Sequence, residues 1–112
     1  MSDRSPITTH VLDTAAGRPA SGVPVTLARA DYGDGFTRIG AGVTDADGRV
    51  TDLLPSDHEL TAGVYRISFS VKDYQAGFYP SVSIDFNVVA TDEHYHVPLL
   101  LSPFGYSTYR GS

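Results

Sequence analysis

Alternation of apolar and polar residues is the dominant pattern along this chain, and it has the two-residue period of β-strands. The two clearest apolar sets are Tyr65, Ile67, Phe69 and Val71, and Val82, Ile84, Phe86 and Val88. Serine, arginine, aspartate and asparagine occupy most of the positions between them. Each set is expected to face a core, while the polar residues face outward. No segment shows the sustained 3.6-residue apolar period of an amphipathic helix.

Short strands are predicted about every ten residues, and most of the turns between them contain glycine or proline. They fall at residues 7–12, 23–30, 36–44, from 49, 63–71, 81–88, 94–101 and 105–110. The polar segments 55–59 and 73–77 have room for a single helical turn each. This spacing predicts an all-β fold, an antiparallel β-sandwich of about eight strands with at most one short helix. Residues 1–6 are interpreted as a disordered lead and residues 7–112 as the domain.

Length and composition narrow the classes of function. A chain of 112 residues has room for one core of ordinary size. Its net charge of -5 argues against a nucleic-acid partner, and no stretch reaches the ~18 apolar residues of a membrane helix. The sequence has no cysteine, which excludes disulfides and thiolate catalysis. The first residues lack a basic segment followed by an apolar one, so we expect a cytoplasmic protein.

Histidines are the first candidates for chemistry. His94 and His96 lie two residues apart and therefore share one face of a strand. Imidazole has an ordinary pKa of ~6.5, so two of them can divide the roles of general base and general acid. His94 also fits a solvated strand end, and His96 fits either a site or a satisfied core residue. His10 by itself favours a structural role, and His58 is expected on the surface.

Metal sites are a weaker interpretation of the same residues. His94 and His96 together with a distant His10 would permit a three-histidine zinc site. No acidic residue is fixed beside them by short spacing. The segment from Asp45 to Gly48 has a weak likeness to a calcium loop, but residue 56, at its twelfth position, is serine rather than glutamate. We interpret this segment as a hairpin turn.

Arg49 directly follows that turn, at the start of a predicted strand. A planar guanidinium there can bind a carboxylate or a developing oxyanion, although an exposed strand-end arginine is also consistent with the sequence. The chain has no Gly-x-Ser-x-Gly nucleophile elbow and no glycine-rich phosphate loop followed by a helix. Arginine and histidine are therefore the main candidates for catalytic side chains.

Residues 94–112 are unusual for the end of a chain, because aromatic, cationic and hydroxyl groups continue to Ser112. Terminal residues are normally frayed, so we expect this segment to be held in place. With Ile7-Thr-Thr-His10-Val-Leu-Asp13 and Asp47-Gly48-Arg49, it resembles the transthyretin-like 5-hydroxyisourate hydrolases of purine degradation. The ending Tyr109-Arg-Gly-Ser112 is the feature that separates these hydrolases from true transthyretins. Phe104, where tyrosine is common, is a small departure.

The resemblance implies a prealbumin-type sandwich that assembles as a homotetramer, a dimer of dimers with active sites at the dimer–dimer interface. It implies that His10, Arg49 and His96 are catalytic, and that Tyr109 and Ser112 help His10 and Arg49 to bind substrate. The implied reaction opens the six-membered ring of 5-hydroxyisourate to give 2-oxo-4-hydroxy-4-carboxy-5-ureidoimidazoline. It requires neither metal nor cofactor.

These residue types suit that chemistry. Water attacks a cyclic acyl carbon and needs a base, for which His10 or His96 is suitable, while Arg49 stabilises the growing negative charge on the carbonyl oxygen. The sequence does not decide which histidine is the base, although we favour His96 with His10 as its orienting partner. The alternative function is non-enzymatic transport of a small aromatic ligand, as in transthyretin.

Overall fold

The alternating segments form the strands of two packed sheets in the computed structural model, which describes residues 4–112. There are nine strands in this part of the chain and no helix. The strands are β1 Ile7–Asp13, β2 Arg18–Pro19, β3 Pro24–Ala30, β4 Phe36–Val43, β5 Arg49–Val50, β6 Gly63–Ser70, β7 Ser81–Val88, β8 Tyr95–Ser102 and β9 Gly105–Thr108. The predicted all-β sandwich is confirmed, and the two possible helical turns are not helices.

The first sheet has the order β2-β1-β8-β9, with β5 also paired to β1, and the second has the order β4-β3-β6-β7. All pairs are antiparallel except β1 with β8, which run parallel from Ile7 opposite Tyr95 to Asp13 opposite Leu101. The sandwich is antiparallel, as predicted, except in this one pair of strands. No turn joins these two strands, so local sequence carries no signal for their relative direction.

The core lies between the sheets and contains the predicted apolar faces. Tyr65, Ile67, Phe69 and Val71 of the β6 region are each at most 1% exposed. On β7 the inward Ile84 and Phe86 are only partly buried, because β7 is the last strand of its sheet. Burial of one such side chain contributes roughly 1.5–3 kcal/mol. One face of each strand is therefore occupied by the core, and a functional site can form only on the opposite, outward face.

The turn at residues 45–48 differs from the predicted hairpin. β4 before it belongs to the second sheet, whereas β5 after it pairs with β1 in the first. The turn therefore carries the chain from one sheet to the other. Gly48 has a φ of 75°, and a Cβ there would lie 2.4 Å from the carbonyl oxygen of Val11. This close approach to β1 places Arg49 opposite His10.

The predicted disordered lead, residues 1–6, lies partly outside the described residues, which begin at Arg4. Within them, Ser5 is 1% exposed, its backbone N–H donates to the Thr51 carbonyl at 2.7 Å, and its hydroxyl donates to the Ile7 carbonyl at 2.6 Å. Packing thus extends to Ser5, and the domain boundary at residue 7 stays a prediction. No helix in the described part of the chain is long and apolar enough to cross a membrane.

Candidate active site

The outward face of the first sheet brings the candidate catalytic residues together. Arg49 of β5 lies opposite His10 of β1, and His10 lies opposite Pro98 of β8. In the neighbouring row Thr8 of β1 lies opposite His96 of β8. Residues directly opposite in paired strands point to the same face, as do residues two apart in one strand. Arg49, His10 and His96 therefore share the face turned away from the core.

Thr8 joins the two histidines of the β8 segment. Its side chain is only 2% exposed, and its Oγ1 lies 2.8 Å from His96 Nδ1 and 2.9 Å from His94 Nε2. His94 is therefore a half-buried, hydrogen-bonded residue, and the interpretation of it as a solvated strand end was wrong. The Thr8 hydroxyl fixes the positions of both rings.

Burial and nearby cations keep these imidazoles neutral. Burial is the main cause that lowers the pKa of His96 below its ordinary value of 6.5, and Arg49, His10, His94 and Arg4 lower it further. Burial followed by the charge of Arg4 lowers the pKa of His94 in the same way. Neutral imidazole is the form that can accept a proton. At neutral pH the His96 ring is therefore in this form.

His10 has an unsatisfied nitrogen. Its Nε2 is buried and has no hydrogen-bond partner within residues 4–112. Buried polar atoms are nearly always paired, so such an atom requires an explanation. The ring lies close enough to two groups to affect them electrostatically, because the charge of His10 contributes to lowering the pKa of both Asp45 and His96. His10 therefore lies near both groups, and its buried Nε2 is unpaired within residues 4–112.

Asp45 anchors the backbone of Arg49 and leaves the guanidinium exposed. The backbone N–H of Arg49 donates to Asp45 Oδ1 at 3.0 Å, and the N–H of Asp45 donates to the Arg49 carbonyl at 3.0 Å. The Arg49 backbone hydrogen bond is the largest cause that lowers the pKa of Asp45, followed by the Asp47 backbone hydrogen bond. Arg49 is exposed, so its charged end is available to a ligand on this face.

The C-terminal segment is held against β8, as expected. The N–H of Gly111 donates to the His96 carbonyl at 2.8 Å. The Arg110 guanidinium carbon lies 4.5 Å from the centre of the Tyr95 ring, and its Nη2 is 3.5 Å from Glu93 Oε1. A Cβ on Gly111 would lie 2.5 Å from His96 Cδ2. The chain therefore passes directly against the His96 imidazole.

Tyr109 and Ser112 are both exposed, Tyr109 by 58%. The β8–β9 register, continued from Leu99 opposite Thr108 to His96 opposite Gly111, sets Tyr109 beside Pro98. This is the row that contains His10. Ser112 directly follows Gly111. The structure thus brings Tyr109 and Ser112 to the edge of the site without closing them over it.

A cavity of about 320 Å³ adjoins this edge, between the C-terminal segment and β7. Its lining includes His96 and Tyr109 from the site together with Ile84 and Phe86 from the partly covered core. His10 and Arg49 are not part of this lining. Arg49 is exposed, so the part of the sheet face that carries it is open to solvent in a single chain.

Sequence reasoning missed Thr8 and underrated His94. Thr8 lies on the face that also carries His10, but its position opposite His96 depends on parallel pairing that no local pattern reveals. The two-residue spacing of His94 and His96 was the available signal. The described residues contain no cluster of three histidines, cysteines or acidic residues able to hold a metal ion. His58 is exposed, as predicted.

Comparison with known sequences gives a consistent picture. The family described as HIUase/Transthyretin matches residues 7–111. A 5-hydroxyisourate hydrolase from Deinococcus radiodurans is 45% identical over 120 aligned positions, which cover 100% of both chains. The uric acid degradation bifunctional protein TTL from Arabidopsis thaliana is 48% identical over 97% of this chain, and this chain spans only 38% of that protein.

Solved structures of similar proteins share the fold. Sea bream transthyretin, solved in complex with thyroxine, superimposes with a TM-score of 0.87 at 33% identity, covering 96% of this chain and 95% of that one. The 5-hydroxyisourate hydrolase of Klebsiella pneumoniae gives a TM-score of 0.79 at 33% identity, covering 95% and 98%. By family match, sequence identity and fold, this chain belongs to the HIUase/transthyretin family.

Proposed function

We propose that this protein hydrolyses 5-hydroxyisourate by opening its six-membered ring, in the degradation of urate. Two relatives named 5-hydroxyisourate hydrolase support this activity. The protein from Deinococcus radiodurans is 45% identical to this chain and that from Mesorhizobium japonicum is 46% identical, each over nearly the whole chain. The product is 2-oxo-4-hydroxy-4-carboxy-5-ureidoimidazoline. The similarity to these relatives supports the activity. The side chains on the outward face of the first sheet support the mechanism.

One observation carries the proposal: a neutral imidazole, a second imidazole and an exposed guanidinium share one sheet face. These groups are His96, His10 and Arg49. Ring opening by water requires a base for the water, a proton for the leaving nitrogen and a positive charge for the carbonyl oxygen. The three side chains can supply these requirements without a cofactor.

In the proposed mechanism His96 removes a proton from water as the water attacks the acyl carbon. Negative charge then develops on the carbonyl oxygen, and Arg49 stabilises it in a position fixed by the Asp45 turn. The leaving nitrogen takes up a proton as its bond to carbon breaks. His10, in the row beside that of His96, orients the substrate or the water. Tyr109 and Ser112 bind the polar edge of the heterocycle.

We further propose a homotetramer, a dimer of dimers, in which a second subunit closes this face. Two observations support closure from outside the chain. The site of a single chain is open, and Tyr109 at its edge is 58% exposed. Excluding water strengthens the electrostatic interactions of Arg49 with the reacting oxygen. The active sites would then lie at the dimer–dimer interface.

The direct test is an ultraviolet assay in which urate oxidase generates 5-hydroxyisourate from urate. Addition of this protein should accelerate the loss of the 5-hydroxyisourate absorbance well beyond its spontaneous decay. Bovine serum albumin at equal concentration serves as the protein control. A decay rate equal to the spontaneous one would contradict the proposed function.

A carrier function is the alternative, and the TM-score of 0.87 with sea bream transthyretin favours keeping it. A carrier would leave the decay of 5-hydroxyisourate unchanged and would bind a small aromatic ligand. A three-histidine metal enzyme is the other hypothesis from sequence. It predicts loss of hydrolysis after dialysis against a chelator and recovery with zinc, whereas the proposed mechanism predicts full retention.

A further inference from the structure

The Thr8 hydroxyl makes two short contacts with ring nitrogens, and this limits how protons are arranged around His96. A hydroxyl has one proton to donate and lone pairs with which to accept. Thr8 Oγ1 lies 2.8 Å from His96 Nδ1 and 2.9 Å from His94 Nε2. It can donate to only one of them, so any second bond must be donated by the other imidazole.

Two arrangements satisfy both contacts and also use the Thr8 proton when the imidazoles are neutral, whereas a third, in which both imidazoles donate to Thr8, gives that proton no acceptor in either contact. In the first, Thr8 donates to His96 Nδ1 and accepts from His94 Nε2–H, so that the His96 proton lies on Nε2. In the second, His96 Nδ1–H donates to Thr8 and Thr8 donates to His94 Nε2, so that His96 Nε2 is bare. Only the second arrangement leaves His96 a nitrogen with which to accept a proton from water.

The geometry around the His96 ring shows where that nitrogen points. Nδ1 faces Thr8 on β1, and Cδ2 faces Gly111 on the opposite side, where a Cβ would lie 2.5 Å away. Strand side chains stand roughly perpendicular to the sheet. Nε2, which is bonded to Cδ2 at the far end of the ring, therefore points away from the sheet on the side of the C-terminal segment.

Charges around His96 favour a neutral ring. The groups that act on it are Arg49 of β5, His10 of β1, His94 before β8, and Arg4. The two arginines are permanently cationic, so they destabilise the protonated form of the imidazole. The Thr8 hydroxyl is itself nearly inaccessible to solvent, with Thr8 2% exposed, so water does not readily replace the imidazoles as its partners.

We propose that Thr8 and His94 are positioning residues that hold His96 with its proton on Nδ1 and Nε2 bare, which makes His96 the general base. The choice of this tautomer rests on the proposed hydrolysis, in which His96 offers a bare Nε2 to water, and the tautomer itself can be measured without substrate. His94 acts by accepting the Thr8 proton, which leaves the Thr8 oxygen free to accept from His96.

The proton balance of the step follows. As water attacks the acyl carbon, His96 Nε2 takes one proton from it and the ring becomes a cation. The Nδ1–H of that cation remains bonded to Thr8, whose proton remains on its bond to His94. Nε2 then gives the proton to the ring nitrogen as its bond to carbon breaks. No proton needs to leave the His94–Thr8–His96 chain.

The test is nitrogen-15 NMR of the intact protein labelled at histidine, which distinguishes protonated from bare ring nitrogens. In the wild type we expect His96 to show a protonated Nδ1 and a bare Nε2 above its pKa. Thr8→Val, which keeps the shape but removes the hydroxyl, should abolish this preference, and Thr8→Ser should retain it. His94→Phe should shift the His96 proton to Nε2, because Thr8 then loses its acceptor. His58→Phe, in an exposed loop, is the matched control.

Kinetics provide a second measurement. Thr8→Val and His94→Phe should each lower kcat about 10²-fold with little change in KM, as expected when a reacting group is misplaced, while Thr8→Ser and His58→Phe stay near wild type. A wild-type His96 with its proton on Nε2, or a tautomer unchanged in both variants, would overturn the proposal. A wild type without hydrolysis would refute the proposed function instead, and the NMR result would still decide the tautomer.

Discussion

At the scale of single residues, a base works only while its nitrogen is unprotonated. The lowered pKa of His96, caused first by burial and then by Arg49, His10, His94 and Arg4, therefore sets the acid limit of the reaction. We predict that kcat/KM stays constant from neutral pH to below 6.5, and falls only as pH drops through the lowered pKa. A pH profile of the hydrolysis measures this. An inflection above 6.5 would contradict the assignment of His96 as base.

The same shift makes stability depend on pH. In the unfolded chain the two histidines recover their ordinary pKa of 6.5, whereas in the folded chain both values are lower. Between the two values the unfolded state binds more protons, so the free energy of unfolding should fall as pH decreases from about 6.5. Urea denaturation at a series of pH values tests this. The decrease in the free energy of unfolding at acid pH should be smaller in His96→Asn than in the wild type.

Arg49 gives a second prediction at this scale. Arg49→Ala should lower kcat about 10²–10³-fold, the typical cost of removing one donor to a developing oxyanion. Because its side chain is exposed, the urea midpoint should change little. Arg38→Ala, an exposed arginine on β4, is the matched control and should keep full activity. An Arg49→Ala enzyme with more than half the wild-type kcat would remove Arg49 from the mechanism.

At the scale of elements, the contact between the C-terminal segment and β8 determines the position of His96. Gly111→Ala should displace either the His96 ring or the segment, because the new Cβ would lie 2.5 Å from His96 Cδ2 and 3.3 Å from Pro98 Cγ. We predict a loss of activity of about 10²-fold with a small change in thermal midpoint.

Gly105→Ala is the control for that substitution, because its Cβ would meet only Ser102 Oγ at 3.7 Å, an ordinary contact. Equal effects of the two substitutions on activity, or a Gly111→Ala protein as active as the wild type, would show that the segment does not position His96.

The sequence predicted those elements whose signal is local. β6 and β7 were predictable because burial of one face imposes a two-residue period on residues 63–70 and 81–88. The parallel pairing of β1 with β8 and the passage between sheets at residues 45–48 were not, because both depend on contacts between distant segments. The role of Thr8 was missed for the same reason, since its partners lie 86 and 88 residues away.

At the scale of the whole molecule, the open face of the first sheet is the feature that points beyond a single chain. If a second subunit closes the site, specific activity should fall when the tetramer is diluted into its dissociated form. Sedimentation velocity at matched concentrations would give the oligomeric state. A monomer with undiminished specific activity would contradict a site completed at the dimer–dimer interface.

The central claim is that His96, on the outward sheet face shared with His10 and Arg49, is the base that opens the ring. The most direct measurement is the rate of 5-hydroxyisourate loss with the wild type, His96→Asn and His58→Asn, after circular dichroism has shown that all three are folded. Removal of a general base typically costs about 10²–10⁴-fold. We predict that loss in His96→Asn, with His58→Asn indistinguishable from the wild type. A folded His96→Asn protein that hydrolyses 5-hydroxyisourate at the wild-type rate would contradict the claim.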